Sequence, residues 1–143
     1  MLTQKNYMKL EFPARSVNEG FARSALSAFA AQADPTLDEL ADVKTAVSEA
    51  VTNCIVHAYA NTIGPITLTA ALYEDGTLRV AVADKGCGIP DVSKAMEPLF
   101  TTGGAERAGL GFAVMESFMD SVKVRSAPGK GTRVTLSKRL GTR

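Results

Sequence analysis

The chain has no tryptophan, one histidine and two cysteines among its 143 residues. Two cysteines, Cys54 and Cys87, are too few for a disulfide framework, and with a single histidine they do not complete a four-ligand zinc site. No apolar run approaches the roughly 20 residues that cross a bilayer, and the first residues lack the apolar centre of a signal peptide. The net charge of +1 gives no reason to expect nucleic acid or an anionic membrane surface as a partner. We therefore expect a cytoplasmic protein with reduced thiols.

What is present indicates one α+β domain over residues 1–143, with a frayed tail at 139–143. Hydrophobic residues make up 45% and charged residues 22%, as in ordinary globular proteins. Because the predicted strands pair mainly as hairpins, we expect a two-layer α/β sandwich with a mixed, mostly antiparallel sheet and helices on one face. The predicted elements are a strand (7–12), a helix (16 to about 32), a long helix (36 to about 60), a hairpin (66–73 and 77–83), a helix (113–119) and a closing hairpin (121–126 and 131–137).

Both of the first two helices begin with a capping-box pattern. Ser16 is followed three residues later by Glu19, and Thr36 is followed by Glu39. In each pair the hydroxyl is predicted to accept from a backbone amide while the glutamate accepts from the capping residue. On the first helix, the periodicity places Arg23 on the exposed side.

The long helix carries two stripes and is predicted to run unbroken from Thr45 to Tyr59. Its apolar stripe is Val43, Val47, Val51, Cys54 and Ala58, and its polar stripe is Thr45, Glu49, Asn53 and His57. Glu49 and Asn53 lie one turn apart, and a carboxylate beside an amide oxygen can accept a proton and bind a hard cation such as Mg²⁺. The alternative is a solvated polar face, although this stripe contains no lysine or arginine.

The first glycine-rich stretch follows a predicted apolar strand. Asp84 ends that strand, and Gly86 and Gly88 allow the backbone to approach a flat ligand closely. The carboxylate can accept a hydrogen bond from an exocyclic amine such as that of adenine. The alternative is a tight loop closed by an Asx turn.

The second glycine-rich stretch covers residues 100–111. Its first part, which contains Thr101 and Thr102, is predicted to be mobile because it has several glycines and few bulky apolar residues. Its last part places residues 109–111 at a helix N-terminus, where free amides and the helix dipole favour a phosphate. Arg107 could reach a terminal phosphate. The alternative is a glycine-bearing helix start without a ligand.

The order and spacing of these parts resemble the GHKL ATPase superfamily, in which the helix motif, the DxGxG loop and the GxG loop enclose ATP and the mobile segment forms a lid. Five stretches, SEAVTNCIVHAY, GCGIPD, EPLFTT, GLGFAVMESFMD and GKGTRV, are similar to the sporulation anti-sigma factor family. The resemblance runs from about Phe12 to Leu136. It implies a Bergerat-type ATP-binding fold and a dimeric serine kinase that inhibits a sigma factor and phosphorylates a serine of an anti-anti-sigma factor.

The resemblance also implies a role for individual residues. Glu49 is the expected catalytic base and Asn53 the expected Mg²⁺ ligand. The remaining implied contacts are Asp84, Gly86, Gly88 and Thr132 for adenine, Thr101, Thr102, Arg107, Gly109, Leu110 and Gly111 for the lid and phosphates, and Arg23 for the protein partners.

Ala58 stands where the family more often has glycine, and the lid TTGGAERAG departs further from the family pattern, because it is shorter and lacks an expected lysine. This leaves open a nucleotide-gated sigma-factor-binding module without efficient phosphoryl transfer. A simple ATPase or an isolated histidine-kinase catalytic domain is a further alternative. The histidine-kinase version is disfavoured because the chain shows no dimerisation helix with a phosphoacceptor histidine.

Overall fold

The computed structural model describes residues 3–59, 62–88 and 105–141, with the side chains of the last range described from Gly111 onward. Within these ranges, none of the helices has the length and hydropathy of a membrane-spanning segment. The elements are β1 (Gln4–Pro13), α1 (Val17–Ala30) with a 3-10 turn (Ala31–Ala33), α2 (Leu37–Asn53) with a π-helical end (Cys54–Ala58), β2 (Pro65–Tyr73), β3 (Thr77–Asp84), α3 (Ala105–Phe118), β4 (Ser121–Ala127) and β5 (Gly131–Arg139).

The five strands in the described part of the chain form one sheet in the order β1-β2-β3-β5-β4, and every pairing among them is antiparallel. This confirms the predicted mostly antiparallel sheet. The order places β5 directly beside β3, with Ala83 opposite Arg133. Because Asp84 and Thr132 are the next residues along these strands, the crossover through α3 brings together two positions that are 48 residues apart.

The three helices of the described residues cover one face of the sheet, which confirms the two-layer sandwich. Val43, Val47 and Val51 on α2 are fully buried and belong to one apolar cluster with the inward-facing side chains of the strands. From α3, Phe112 and Met115 join the same cluster. The predicted apolar stripe of α2 therefore forms the centre of the core.

The capping box at Thr36 is confirmed, whereas the one at Ser16 is wrong. Thr36 N donates to Glu39 Oε1 over 2.8 Å, and Glu39 N donates to Thr36 Oγ1 over 3.1 Å. Ser16 has helical backbone angles (φ −54°, ψ −37°) and makes no side-chain capping bond. A capping residue needs a non-helical backbone to direct its hydroxyl at the helix amides. Glu19 instead accepts a hydrogen bond from Ser48.

The expectation of one unbroken helix through Tyr59 is also wrong in part. The α-helix ends at Asn53, and residues Cys54–Ala58 form a π-helical turn before Tyr59 leaves helical geometry at φ −123°, ψ 60°. Such wider turns inside helices are frequent at functional sites. Here the π-helical turn begins at Cys54, directly after Asn53 and just over one helical turn after Glu49. The thiol of Cys54 contacts Asp84.

Candidate functional site

The packing of α3 across α2 brings Gly111 against the two predicted site residues of α2. A Cβ atom on Gly111 would lie 3.1 Å from Asn53 Nδ2, 3.2 Å from Asn53 Oδ1 and 3.3 Å from Glu49 Oε2. These distances are at or inside van der Waals contact, so the backbone of α3 approaches this closely only because residue 111 has no side chain. The structure thus brings Glu49, Asn53 and Gly111 together.

The Asn53 amide is buried and without a hydrogen-bond partner in the part of the chain that the structure describes. Both Nδ2 and Oδ1 are shielded from solvent. An unsatisfied buried polar group costs about 1–3 kcal/mol, so a ligand atom at this position would be stabilised. An amide oxygen is a suitable ligand for Mg²⁺. The described residues contain no cluster of three or more His, Cys, Asp or Glu side chains able to hold a metal.

Asp84 is a buried carboxylate at the end of β3, with 9% of its surface exposed. Its Oδ1 accepts from the backbone amides of Gly86, over 2.9 Å, and of Thr132, over 3.2 Å. Its Oδ2 accepts from the thiol of Cys54, over 3.4 Å. Burial, reinforced by the charge of Asp84, raises the pKa of the Cys54 thiol well above its ordinary value, so the sulfur keeps the proton that it donates. The structure therefore places Asp84, Gly86 and Thr132 in one cluster.

The loop after Asp84 packs tightly against two neighbouring segments. A Cβ on Gly86 would lie 2.3 Å from the carbonyl oxygen of Ala58, which instead accepts from Cys87 N over 3.1 Å. Gly88 has φ +77°, and a Cβ there would lie 2.1 Å from the carbonyl oxygen of Ala127. Both glycines are therefore required by the position of this loop between the end of α2 and the β4–β5 turn.

Thr132 contributes a hydroxyl as well as its backbone amide. Its Oγ1 lies 2.7 Å from Ser126 Oγ, the residue opposite it on β4, and Ser126 Oγ donates to the carbonyl oxygen of Gly131 over 3.1 Å. The sequence had suggested Thr132 only through the family resemblance. Its place beside Asp84 depends on the β3–β5 pairing, for which the chain has no local signal.

Tyr59 and Cys54 are two supporting residues that sequence reasoning missed as parts of the site. Tyr59 Oη donates to the carbonyl oxygen of Pro65 and accepts from Lys85 N, both over 2.7 Å. Burial raises the pKa of this phenol, which remains a neutral donor. These bonds tie the end of α2 to the start of β2 and to the loop after Asp84. No pattern distinguished Tyr59, and Cys54 was predicted only as part of the apolar stripe.

The predicted start of the third helix is wrong. The helix α3 begins at Ala105, so Gly109, Leu110 and Gly111 lie inside it and not at its N-terminus. Helix geometry pairs the amides of residues 109 and 111 with carbonyls four residues earlier, so they are not the free phosphate donors that were expected. The reason is local, because residues 105–108 (AERA) are strong helix formers that extend the helix by a turn. Arg107 lies in this first turn with its side chain outside the description, and Thr101 and Thr102 lie outside the described residues.

A groove of roughly 680 Å³ runs between α1 and α2 on the side of Glu49. Arg23 is the cationic side chain contributed by α1; it is 43% exposed and its guanidinium lies 3.4 Å from Glu19. Glu49 therefore lines this groove and also borders Gly111. The full lining is Arg23, Ser24, Ser27, Ala28, Ala41, Lys44, Thr45, Ser48 and Glu49.

Comparison with known proteins agrees with this architecture. The family described as histidine kinase-like ATPase domain matches residues 12–138. The chain is 58% identical over 137 residues to the anti-sigma F factor of Caldanaerobacter subterraneus subsp. tengcongensis, covering 95% of each chain. It is 52% identical over 137 residues to the anti-sigma F factor of Clostridium acetobutylicum, again covering 95% of each. A solved structure of the RsbU and RsbW domains of a Mycobacterium tuberculosis protein superposes with a TM-score of 0.70 at 25% identity, over 95% of this chain and 33% of that one.

The fold and the match over residues 12–138 define the class of histidine kinase-like ATPase domains, and this class implies binding of ATP. Within that class, the chain belongs to the anti-sigma F factor family. The family resemblance seen in the sequence is therefore confirmed.

Proposed function

We propose that this chain is an ATP-dependent protein serine kinase and an anti-sigma factor. In this proposal it binds and inhibits a sigma factor, and it phosphorylates a serine of an anti-anti-sigma factor. The names of the relatives support the anti-sigma role. We also propose that residues 1–143 act as one domain within a homodimer, as the family resemblance implies.

The observation that carries the kinase proposal is the position of Glu49, which borders both the contact between Asn53 and Gly111 and the groove between α1 and α2. On one side its Oε2 lies 3.3 Å from where a Cβ of Gly111 would be, next to the amide of Asn53, which has no partner among the residues described. On the other side it lines the groove between α1 and α2. A base that faces both a nucleotide and an open groove can deprotonate a hydroxyl supplied by another protein.

In this proposal one group of residues holds the adenine of the nucleotide and a second group holds its phosphates. Asp84, with Gly86, Gly88 and Thr132 around it, is the proposed adenine contact. Arg107, Thr101 and Thr102 are the proposed phosphate and lid contacts. The burial of Gly111 against Asn53 supports a role for this glycine in keeping space open for the phosphates, which replaces the free-amide role expected for residues 109–111.

Asn53 Oδ1 is the proposed protein ligand of Mg²⁺, which when bound would neutralise charge on the phosphates. The serine hydroxyl oxygen attacks the γ-phosphorus while the bond from that phosphorus to the bridging oxygen breaks, and ADP leaves with the bonding electrons. Glu49 accepts the hydroxyl proton. General base catalysis of this kind contributes about 10²- to 10⁴-fold.

The test is phosphoserine formation on an anti-anti-sigma protein incubated with ATP, Mg²⁺ and either wild type or Glu49→Gln. We expect the variant to lose at least about 100-fold in transfer rate while its ATP affinity stays within about twofold, since the carboxylate takes a proton and does not hold the nucleotide. Glu116→Gln, an exposed carboxylate on α3, is the matched control and should transfer normally. Normal transfer by Glu49→Gln would reject the base assignment. If the wild-type protein binds the partner but forms no phosphoserine, the result favours the alternative function, a nucleotide-gated binding module.

Partner binding is tested separately with Arg23→Glu. Reversing this charge beside the groove should weaken binding of the sigma factor or anti-anti-sigma protein by about tenfold or more, while ATP affinity is unchanged. Arg125→Glu, an exposed arginine on β4, is the control. Unchanged partner affinity in a calorimetric titration would contradict the role of Arg23. Native mass spectrometry of the same samples measures the proposed dimer.

A further inference from the structure

The Asp84 carboxylate has an asymmetric set of hydrogen bonds. Each carboxylate oxygen can accept about two. Oδ1 receives two backbone amides, from Gly86 and Thr132. Oδ2 receives one bond, from the Cys54 thiol, within the described part of the chain. One acceptor position therefore remains, and it lies on the oxygen that Cys54 contacts.

We propose that Cys54 is a positioning residue for nucleotide recognition, because its thiol fixes the orientation of the Asp84 carboxylate and thereby the remaining acceptor position on Oδ2. The proposal rests on the proposed adenine contact of Asp84 and names a second residue on which base selection depends. Cys54 itself touches no nucleotide in this scheme, since it acts through the carboxylate.

The surroundings of the two residues support this role. Cys54 is 5% exposed and Asp84 is 9% exposed, so water does not readily replace the donor. Rotation of the carboxyl group about its Cβ–Cγ bond moves Oδ1 and Oδ2 together, and the two backbone amides restrain it from the Oδ1 side alone. A donor on Oδ2 restricts that rotation, and a buried anion needs every donor available.

The position of Cys54 also links the two ends of the site. It directly follows Asn53, the proposed Mg²⁺ ligand, and it begins the π-helical turn. The orientation of the adenine contact and that of the phosphate end are therefore set by adjacent residues of one helix. An alanine at position 54 would leave the helix in place but remove the donor.

The experiment compares the dissociation constants of ATP and of purine riboside triphosphate, which lacks only the 6-amino group, by titration calorimetry with Mg²⁺. The ratio of the two constants isolates recognition of the amine. For wild type we expect a ratio of about tenfold or more, as for a hydrogen bond to a charged group. Cys54→Ala should reduce this ratio by about three- to tenfold, since a thiol is a weak donor. Cys54→Ser, which restores a donor, should keep the ratio within about twofold of wild type.

Two further variants separate positioning from packing. Cys54→Val fills a similar volume without a donor and should lower the ratio as Cys54→Ala does, which keeps the test valid if one of them folds poorly. Ile55→Val, a partly buried neighbour, removes packing alone and should leave the ratio unchanged. In an Asp84→Asn background, Cys54→Ala should have no further effect on the ratio.

The outcomes distinguish this inference from the proposed function. A wild-type ratio near one would overturn the adenine contact of Asp84, and the role of Cys54 with it. A high wild-type ratio that Cys54→Ala leaves unchanged, even with weaker binding of both nucleotides, would overturn only the role of Cys54. A lower ratio in both donor-free variants, with the serine variant close to wild type, supports it.

Discussion

Replacing Gly111 by alanine should reduce phosphoryl transfer while leaving the stability of the fold nearly unchanged. The added methyl group would lie 3.1 Å and 3.2 Å from the two amide atoms of Asn53 and 3.3 Å from Glu49 Oε2. Both side chains must then shift by a few tenths of an ångström, and the methyl group occupies the space beside the proposed base and Mg²⁺ ligand. Because residue 111 lies inside α3, alanine also gains about 1 kcal/mol of helix propensity, which offsets the crowding.

We therefore expect the free energy of unfolding of Gly111→Ala to stay within about 1 kcal/mol of wild type. Phosphoryl transfer should fall by about tenfold or more, because a misplacement of about 1 Å in a catalytic group can cost 100-fold. The measurements are thermal denaturation and phosphoserine formation on the same preparations. Gly20→Ala is the matched control, since a Cβ there meets only Arg23 Nη2 at 4.0 Å. Full activity of Gly111→Ala would refute the placement of the phosphate site beside Gly111.

Three other substitutions test separate parts of the structure. Asp84→Asn should weaken ATP binding by about 10- to 100-fold and reduce adenine-over-guanine preference, measured by nucleotide titration; unchanged affinity would reject the adenine contact. Thr36→Ala should lower the free energy of unfolding by about 1 kcal/mol, whereas Ser16→Ala, which removes no capping bond, should change denaturant stability by less than about 0.5 kcal/mol. Tyr59→Phe should cost about 1–3 kcal/mol by leaving two backbone groups unpaired, and Tyr7→Phe, at a residue 69% exposed, should be neutral in the same melt.

Features that depend on neighbours within a few residues could be read from the chain alone. The apolar stripe of α2, the capping box at Thr36 and both hairpins are local, because helix periodicity, capping bonds and turns involve residues at most about five apart. The same locality placed Glu49 and Asn53 on one face of α2. Local patterns also led to two errors. Ser16 is a residue type that caps helices, but its backbone angles are helical and it makes no capping bond. The segment AERA (105–108) forms the first turn of a helix that was expected to begin at GLG (109–111).

The site itself was decided by tertiary structure. The cluster around Asp84 needs β5 to lie against β3 and the end of α2 to reach the same point, so that Thr132 and Cys54, which are 48 and 30 residues away, both bond to one carboxylate. The buried amide of Asn53 similarly exists only because α3 packs across α2 at a residue without a side chain. The sequence by itself determined which polar groups are available and on which faces they lie. Long-range packing decided which of them meet, since no short-range pattern encodes the distance between two segments remote in the chain.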